Sequence, residues 1–303
     1  MNRFLIVVTG PTASGKTQAS IELARHFHSH IISADARQFY LEMNIGTAKP
    51  SLDQLAAAPH HFINHLSIGD SYSAGQFEQE AVSFIDDDLK NHSVITLVGG
   101  SGLFIRAVLE GFDSFPPEDP EVKEKLQDLF KAEGLVALQQ LLRSYDPVYY
   151  DKVDLNNPQR LIRAMSVCLT SGKPFSSFHK QQRKQRNFTP VKIGMKVEKE
   201  ELHRRIDERV EQMMLAGLPD EAAKLFPLRR FNALQTVGYT ELFEFLEQKI
   251  TMDEAVAKIK RNTRQYARRQ MTWFKKEKDI AWFAPDEAEK IAEYIEGKMM
   301  SGE

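Results

Sequence analysis

The stretch Gly10-Pro11-Thr12-Ala13-Ser14-Gly15-Lys16-Thr17 constrains this chain more than any other. It follows the apolar run RFLIVVT and precedes QASIELARHF, a run with helical spacing. The pattern G-x-x-x-x-G-K-[ST] between a strand and a helix describes a loop whose backbone N–H groups wrap an anion. Its glycines let the backbone turn inward, and the start of the next helix adds its positive dipole end. Lys16 offers charge to phosphate oxygens, and Thr17 offers a hydroxyl to Mg²⁺. The ligand class this predicts is a nucleoside triphosphate or another diphosphate.

The rest of the first third repeats the strand-then-helix alternation of parallel α/β proteins. HIISAD reads as a second strand ending at Asp35, and SVITLVGG, residues 93–100, as a third. Residues 17–27 and 73–89 have the spacing of helices packed on a sheet. The character changes at FDSFPPEDPEVKEKL. Residues 119–178 then read as helical throughout, with helix starts at Asp119-Pro120-Glu121 and Asn157-Pro158, the second helix stopping at Gly172. VKIGMKVE, residues 191–198, returns to strand character. A long helix over roughly residues 200–216 and further helices to residue 278 lead to a last strand, IAWFA, and a terminal helix. The expected fold class is therefore α/β: a P-loop-type parallel sheet core flanked by helices, with an inserted all-helical subdomain. The core is expected over residues 1–112 and 188–303, with basic C-terminal helices, and the insertion over residues 113–187.

Composition narrows the function classes. The 303 residues are 42% apolar with a net charge of −2, so a sizeable core is possible and no global basic field announces nucleic-acid binding. Cys168 is the only cysteine, which excludes a disulfide framework and a CxxC zinc site. The histidines show no metal-ligand spacing. No apolar run is long enough for a signal segment or a membrane span, so a cytoplasmic protein with no membrane partner is expected. Charge is nevertheless uneven. Residues 1–112 carry 7 basic and 11 acidic side chains, whereas residues 258–278 carry 9 basic and 1 acidic. A smaller basic cluster, KQQRKQR, covers residues 180–186. Local basic surface on a neutral protein suits a polyanion held in one groove, although a charge run is also what a solvated helix face looks like.

Several side chains carry chemistry. A hydrolysing phosphate-loop protein ends a later strand in an Asp that helps hold Mg²⁺; here SVITLV runs into Gly99-Gly100-Ser101-Gly102 instead. That weakens an ATPase or GTPase reading and leaves a small-molecule kinase open. Asp35 ends a strand beside the phosphate loop, where α/β sheets open on their ligand crevice. Its carboxylate can serve as a base, or as a helix cap or an outer metal ligand. Thr47 and Lys49 could contact substrate or form an ordinary turn. Arg205 and Arg209 share one helix face, fit to clamp a diphosphate or to pair with Glu201 and Glu208. Arg160 and Arg163 share another, beside Gln159. In KIKRNTRQYARRQMTWFK basic residues alternate with Tyr266, Trp273 and Phe274, a composition that fits RNA and fits equally aromatics in the core under a charged surface.

Six blocks occur in order along nearly the whole chain: GPTASGKT, SADARQFYLEMNIGTAKP, LVGGSGLFIRAVLEG, NPQRLIRAMSV, VGYTELFEFLE and IKRNTRQYARRQMTWF. Together they resemble the bacterial tRNA dimethylallyltransferases, also called tRNA isopentenyltransferases. The resemblance implies transfer of a dimethylallyl group from dimethylallyl diphosphate to the exocyclic amine of an adenine. That adenine lies 3′ of the anticodon in tRNAs reading codons that begin with U; diphosphate leaves and Mg²⁺ assists as cofactor. The implied partners are the donor and a tRNA anticodon stem-loop gripped by the helical insertion, with the enzyme a monomer. By the same resemblance Gly10, Pro11, Thr12, Ala13, Ser14, Gly15, Lys16, Thr17 and Arg209 bind the donor diphosphate, Thr17 being the metal-linked member. Asp35 is the implied general base, and Ser101, where the family usually has Thr, sits near the reacting end of the donor. The implied tRNA contacts are Asp35, Ala36, Arg37, Gln38, Ser101, Lys123, Gln159, Arg160, Leu161, Ile162, Arg163, Gln235, Thr236, Val237, Gly238, Tyr239 and Thr240. Ala36 departs from the common Ser and loses a hydroxyl, and Gln235 and Thr240 replace side chains that are basic in some members. No cysteine-rich C-terminal finger of the eukaryotic kind is present.

Overall fold

A computed structural model describes residues 3–113, 115–116, 119–179 and 183–302. The chain forms two compact units, Met1–Glu110 with Gln185–Glu303, and Gly111–Lys184. In the first unit, among the described residues, six strands form one sheet: β1 (Phe4–Thr9), β2 (Ile31–Ser33), β3 (His60–His61), β4 (Val94–Gly99), β5 (Thr189–Met195) and β6 (Ala281–Phe283). Their order is β3-β2-β4-β1-β5-β6, and every pairing is parallel. The fold class is α/β.

Helices α1 (Lys16–His26), α2 (Leu52–Ala57), α3 (Ala74–Asp86) and α4 (Gly102–Glu110) belong to this unit's first half. The second unit is helical: α5 (Pro120–Tyr145), α6 (Pro147–Tyr150) and α7 (Pro158–Ser171). Helices α8 (Lys199–Leu215), α9 (Leu218–Leu225), α10 (Tyr239–Leu246), α11 (Met252–Phe274) and α12 (Ala288–Ser301) complete the first unit.

Strand β1 is buried along its whole length, as an unbroken apolar run in a doubly covered parallel sheet must be. Side chains alternate across the sheet. Leu5 and Val7 pack with Ile95, Leu97, Phe77, Ile105 and Phe274 on one face. Phe4, Ile6 and Val8 pack with Ala19, Leu23, Ile291 and Ile295 on the other. A third cluster gathers α9, α10 and the start of α11 around Tyr239, Leu242 and Ala255. The helical unit has its own core, built on Leu138, Leu142, Leu161 and Met165.

The helix ends follow their sequence signals. Asp119 caps α5 with Pro120 at its first position, and Asn157 caps α7, which stops at Gly172 with φ 69°. Other expectations need correction. The second strand stops at Ser33 rather than Asp35. Asp35 therefore lies just beyond the sheet edge. Helix α5 is broken at Gly134, with φ 76°, so the helical unit is not continuous there. The two-residue β3 and the six-residue α2, which buries no residue, are too short to show periodicity in sequence. In the basic cluster over residues 180–186, residues 180–182 lie outside the described residues, and Arg186 is no surface charge. Its guanidinium is buried 2.9 Å from Glu78 and donates to the Ala107 carbonyl. Among the described residues no helix is long and apolar enough to cross a membrane.

Candidate active site

The carboxyl ends of β1, β2 and β4 open on a crevice of about 1290 Å³ in the first unit, where ligands of open α/β sheets bind. The phosphate loop leaves β1 at Thr9. Its turn needs left-handed backbone at Gly15, φ 88°, and even at Ala13, φ 62°; Gly15 then caps α1. The Lys16 ammonium donates to the Pro11 carbonyl at 2.6 Å, curling over the loop.

Asp35, two residues beyond β2, and Arg209, on α8, both act on Lys16. Burial pushes the Lys16 ammonium down to about 7; Asp35 opposes the shift and Arg209 adds to it. Burial likewise lowers the Arg209 pKa, again against the pull of Asp35. Two half-buried cations beside one carboxylate form a site short of negative charge, which an anion completes. Arg205 also lines the crevice, but its Nε donates to Glu201 at 2.7 Å, and Glu208 is taken by Arg204. The face shared by Arg205 and Arg209 thus carries one guanidinium tied into a helix ion pair and one set against Lys16 and Asp35.

Strand β4 explains the missing carboxylate. A Cβ at Gly99 would stand 2.4 Å from the Ala34 carbonyl oxygen, and one at Gly100 would stand 2.1 Å from the Gln270 amide nitrogen. At Gly99 the obstacle is backbone and no side chain fits; at Gly100 a side chain would have to displace the Gln270 amide. The next residue, Ser101, accepts the Ala36 N–H through its Oγ at 3.2 Å and lines the crevice with Tyr266. Burial pushes the Tyr266 phenol up to about 12, helped by the nearby Asp35 charge. Asp35 itself accepts the Arg37 N–H at 3.1 Å, leaving its second oxygen for another donor.

A second wall comes from residues 38–49 and 235–241. Glu221, on α9, accepts N–H bonds from Asn44, Ile45 and Gly46 and the hydroxyl of Tyr239. Lys49, a substrate-contact candidate in sequence, instead donates to the Tyr40 carbonyl and to Asn44 and Asn64 side chains. Thr47, with Lys49 among the lining residues, donates to the Met43 carbonyl at 2.7 Å.

The structure sorts the expected RNA-facing positions. Asp35, Ala36, Arg37, Gln38, Ser101, Gln235, Thr236, Val237, Gly238 and Thr240 all line the crevice. Gln38 is braced by the Ser33 hydroxyl and the Thr47 and Ala48 carbonyls, and Arg37 donates to the Asn232 carbonyl. Tyr239 needs correction: its side chain is fully buried against Gly46 and Glu221. In the helical unit Gln159 and Arg160 are exposed and Lys123 and Arg163 half-buried, while Leu161 and Ile162 are sealed in the core. These three apolar or capped side chains cannot meet RNA except through backbone.

The basic helix α11 is also divided. Lys258, Lys260 and Arg264 are held by Glu244, Glu211 and Asp207, whereas Arg261, Arg268, Arg269, Lys275 and Lys276 are exposed. Phe274 is core and Trp273 packs against it, but Tyr266 faces the crevice. Sequence reasoning missed Gln270 and Arg269 as lining residues. The signal was spacing: Tyr266, Arg269 and Gln270 fall on one face at i, i+3 and i+4.

The residues also suit Mg²⁺ arriving with a diphosphate. Thr17 lines the crevice beside Lys16, yet among the described residues no cluster of three or more His, Cys, Asp or Glu could hold a metal alone. Mg²⁺ commonly binds through one or two protein oxygens plus substrate phosphates.

A parallel sheet, a phosphate-type loop and a carboxylate set beside two half-buried cations define an α/β enzyme whose crevice is built to take an anion. The family model for IPP transferase matches residues 38–277. A curated relative, the tRNA dimethylallyltransferase of Christiangramia forsetii, is 49% identical over 99% of both chains. Among solved structures, the tRNA isopentenylpyrophosphate transferase of Bacillus halodurans matches with a TM-score of 0.74 at 32% identity, covering 99% of this chain and 98% of that one. The tRNA delta(2)-isopentenylpyrophosphate transferase of Staphylococcus epidermidis matches with a TM-score of 0.71 at 34% identity, covering both chains fully. The chain belongs to the IPP transferase family, that of the tRNA dimethylallyltransferases, and is a prenyltransferase.

Proposed function

We propose that this enzyme transfers a dimethylallyl group from dimethylallyl diphosphate to the exocyclic amine of the adenine next to the anticodon on its 3′ side, in tRNAs reading codons that begin with U. The observation that carries the reading is the convergence of Lys16, Arg209 and Asp35 at the carboxyl edge of a sheet whose β4 end has no room for a carboxylate. Such a site holds a diphosphate and a proton acceptor without the metal-binding strand end of a hydrolase.

The amine nitrogen attacks the allylic carbon and forms the new C–N bond. The C–O bond to the diphosphate breaks, and the electron pair leaves with the diphosphate. Lys16, Arg209 and the loop N–H groups stabilise the charge that grows there. Asp35 orients the amine and accepts its proton. Ser101, held by the Ala36 N–H, is the hydroxyl that faces the reacting end of the donor in this reading. Bound Mg²⁺, with Thr17 as its protein ligand, would neutralise diphosphate charge. The adenine must leave its stack to reach the crevice, at a cost of about a few kcal/mol that is smaller in a loop than in a duplex. Gln159, Arg160 and Arg163 offer the helical unit's polar contacts to the anticodon arm.

The test is incubation of an unmodified anticodon stem-loop with labelled dimethylallyl diphosphate, Mg²⁺ and ATP. Label in the RNA supports the reading. No label, with ATP consumed instead, would assign the crevice to a kinase.

A further inference from the structure

The phosphate loop and the Gly99–Gly102 turn leave adjacent strands, paired up to Thr9 and Gly99. Beyond that pair no sheet hydrogen bond holds them in register. One side chain does so. Gln270, on α11 and 6% exposed, uses both ends of its amide. Its Oε1 accepts the Thr12 N–H at 2.8 Å, and its Nε2 donates to the Gly100 carbonyl at 3.0 Å. The fit is close enough that a Cβ on Gly100 would clash with the amide. Ser101 is the next residue of the same turn, so through Gln270 helix α11 sets where Ser101 stands relative to the loop that holds Lys16.

We propose that Gln270 is a positioning residue: it buckles the phosphate loop to the Gly100–Ser101 turn and so fixes the gap between the leaving diphosphate and the hydroxyl beside the reacting carbon. The inference rests on the proposed transfer reaction. Only a neutral amide, or a group that mimics it, has an acceptor for Thr12 and a donor for Gly100 on one planar end. Gln270→Met keeps the length and volume but loses both bonds, and strands a buried N–H and a buried carbonyl. Gln270→Glu keeps the shape. Ionised, it offers no donor to Gly100; protonated, it regains one and restores both bonds.

The experiment measures prenyl transfer to the stem-loop by wild type and both variants from roughly pH 8.5 down to pH 6, where a buried carboxyl takes up its proton. Thermal unfolding is followed in parallel. Misplacement of reacting groups lowers kcat more than ground-state binding, so Gln270→Met should lose about tenfold to a hundredfold in kcat, with donor KM changed by no more than about threefold. The Gln270→Glu to wild-type kcat ratio should climb as pH falls, a recovery that general destabilisation would not produce. A ratio that is flat with pH overturns the assignment, as does a Gln270→Met enzyme within about twofold of wild type in kcat. Should Gln270→Met fail to fold, the pH profile of Gln270→Glu decides alone. Wild-type turnover reports on the transfer reaction separately, so failure of that reading and failure of this one are distinguishable.

Discussion

Donor binding should draw a proton onto Lys16. Burial holds the Lys16 ammonium down at about 7, with Asp35 opposing and Arg209 adding. A bound diphosphate adds negative charge beside the ammonium and raises its pKa. Below pH 7 Lys16 is already charged, and affinity should be insensitive to its titration. Above pH 7 each bound donor must bring a proton, so affinity falls about tenfold per pH unit until the bound-state pKa is reached. The uptake is about 0.1 proton at pH 6 and about 0.9 at pH 8. Titration calorimetry in two buffers of different ionisation enthalpy, with dimethylallyl diphosphate alone and no RNA, reads this number directly. The donor's own last ionisation, with a pKa of about 6, is removed by comparison with Lys16→Arg. The guanidinium of that variant is charged at every pH used, so it should take up no proton at pH 8. Equal heats in both buffers at pH 8 for wild type, or equal uptake by wild type and Lys16→Arg, would refute the reasoning.

Three further outcomes follow from the same geometry. Asp35→Asn should lower kcat by about 10²-fold or more, the range for loss of a positioned base, while filter-binding affinity for the stem-loop changes little. Gly99→Ala places a Cβ 2.4 Å from the Ala34 carbonyl oxygen and should cost about 1–3 kcal/mol in urea denaturation as overpacking; an unchanged midpoint would show that the strand end has room. Arg261→Ala and Arg268→Ala, at exposed positions, should each flatten the salt dependence of tRNA binding by about one unit of slope. Lys260→Ala, whose ammonium lies 2.7 Å from Glu211, should change the slope by less than half of that; equal effects would show that the ion pair opens on binding.

The sequence by itself determined the parts whose information is local. An unbroken apolar run ahead of Gly10–Thr17 marks a buried parallel strand and its anion loop, and Asp119-Pro120 and Asn157-Pro158 mark helix starts, because caps and turns are decided within a few residues. The six blocks in order were enough to name the family. What only the tertiary structure decided concerns which of several equal-looking side chains meets which partner. Arg205 and Arg209 share a helix face, yet one pairs with Glu201 and the other, half-buried, acts on Lys16 and is acted on by Asp35. Lys49 is spent on a turn, Arg186 on Glu78, and three of the α11 cations on neighbouring carboxylates. Gln270 in RRQMTWF is unremarkable until folding brings it between Thr12 and Gly100. Spacing along a helix says which residues share a face; it does not say what that face is packed against. The loop at Gly10 announced a phosphate. That this loop lies beside Asp35 and across from Ser101 was settled by the order of the strands, which sets β1, β2 and β4 side by side.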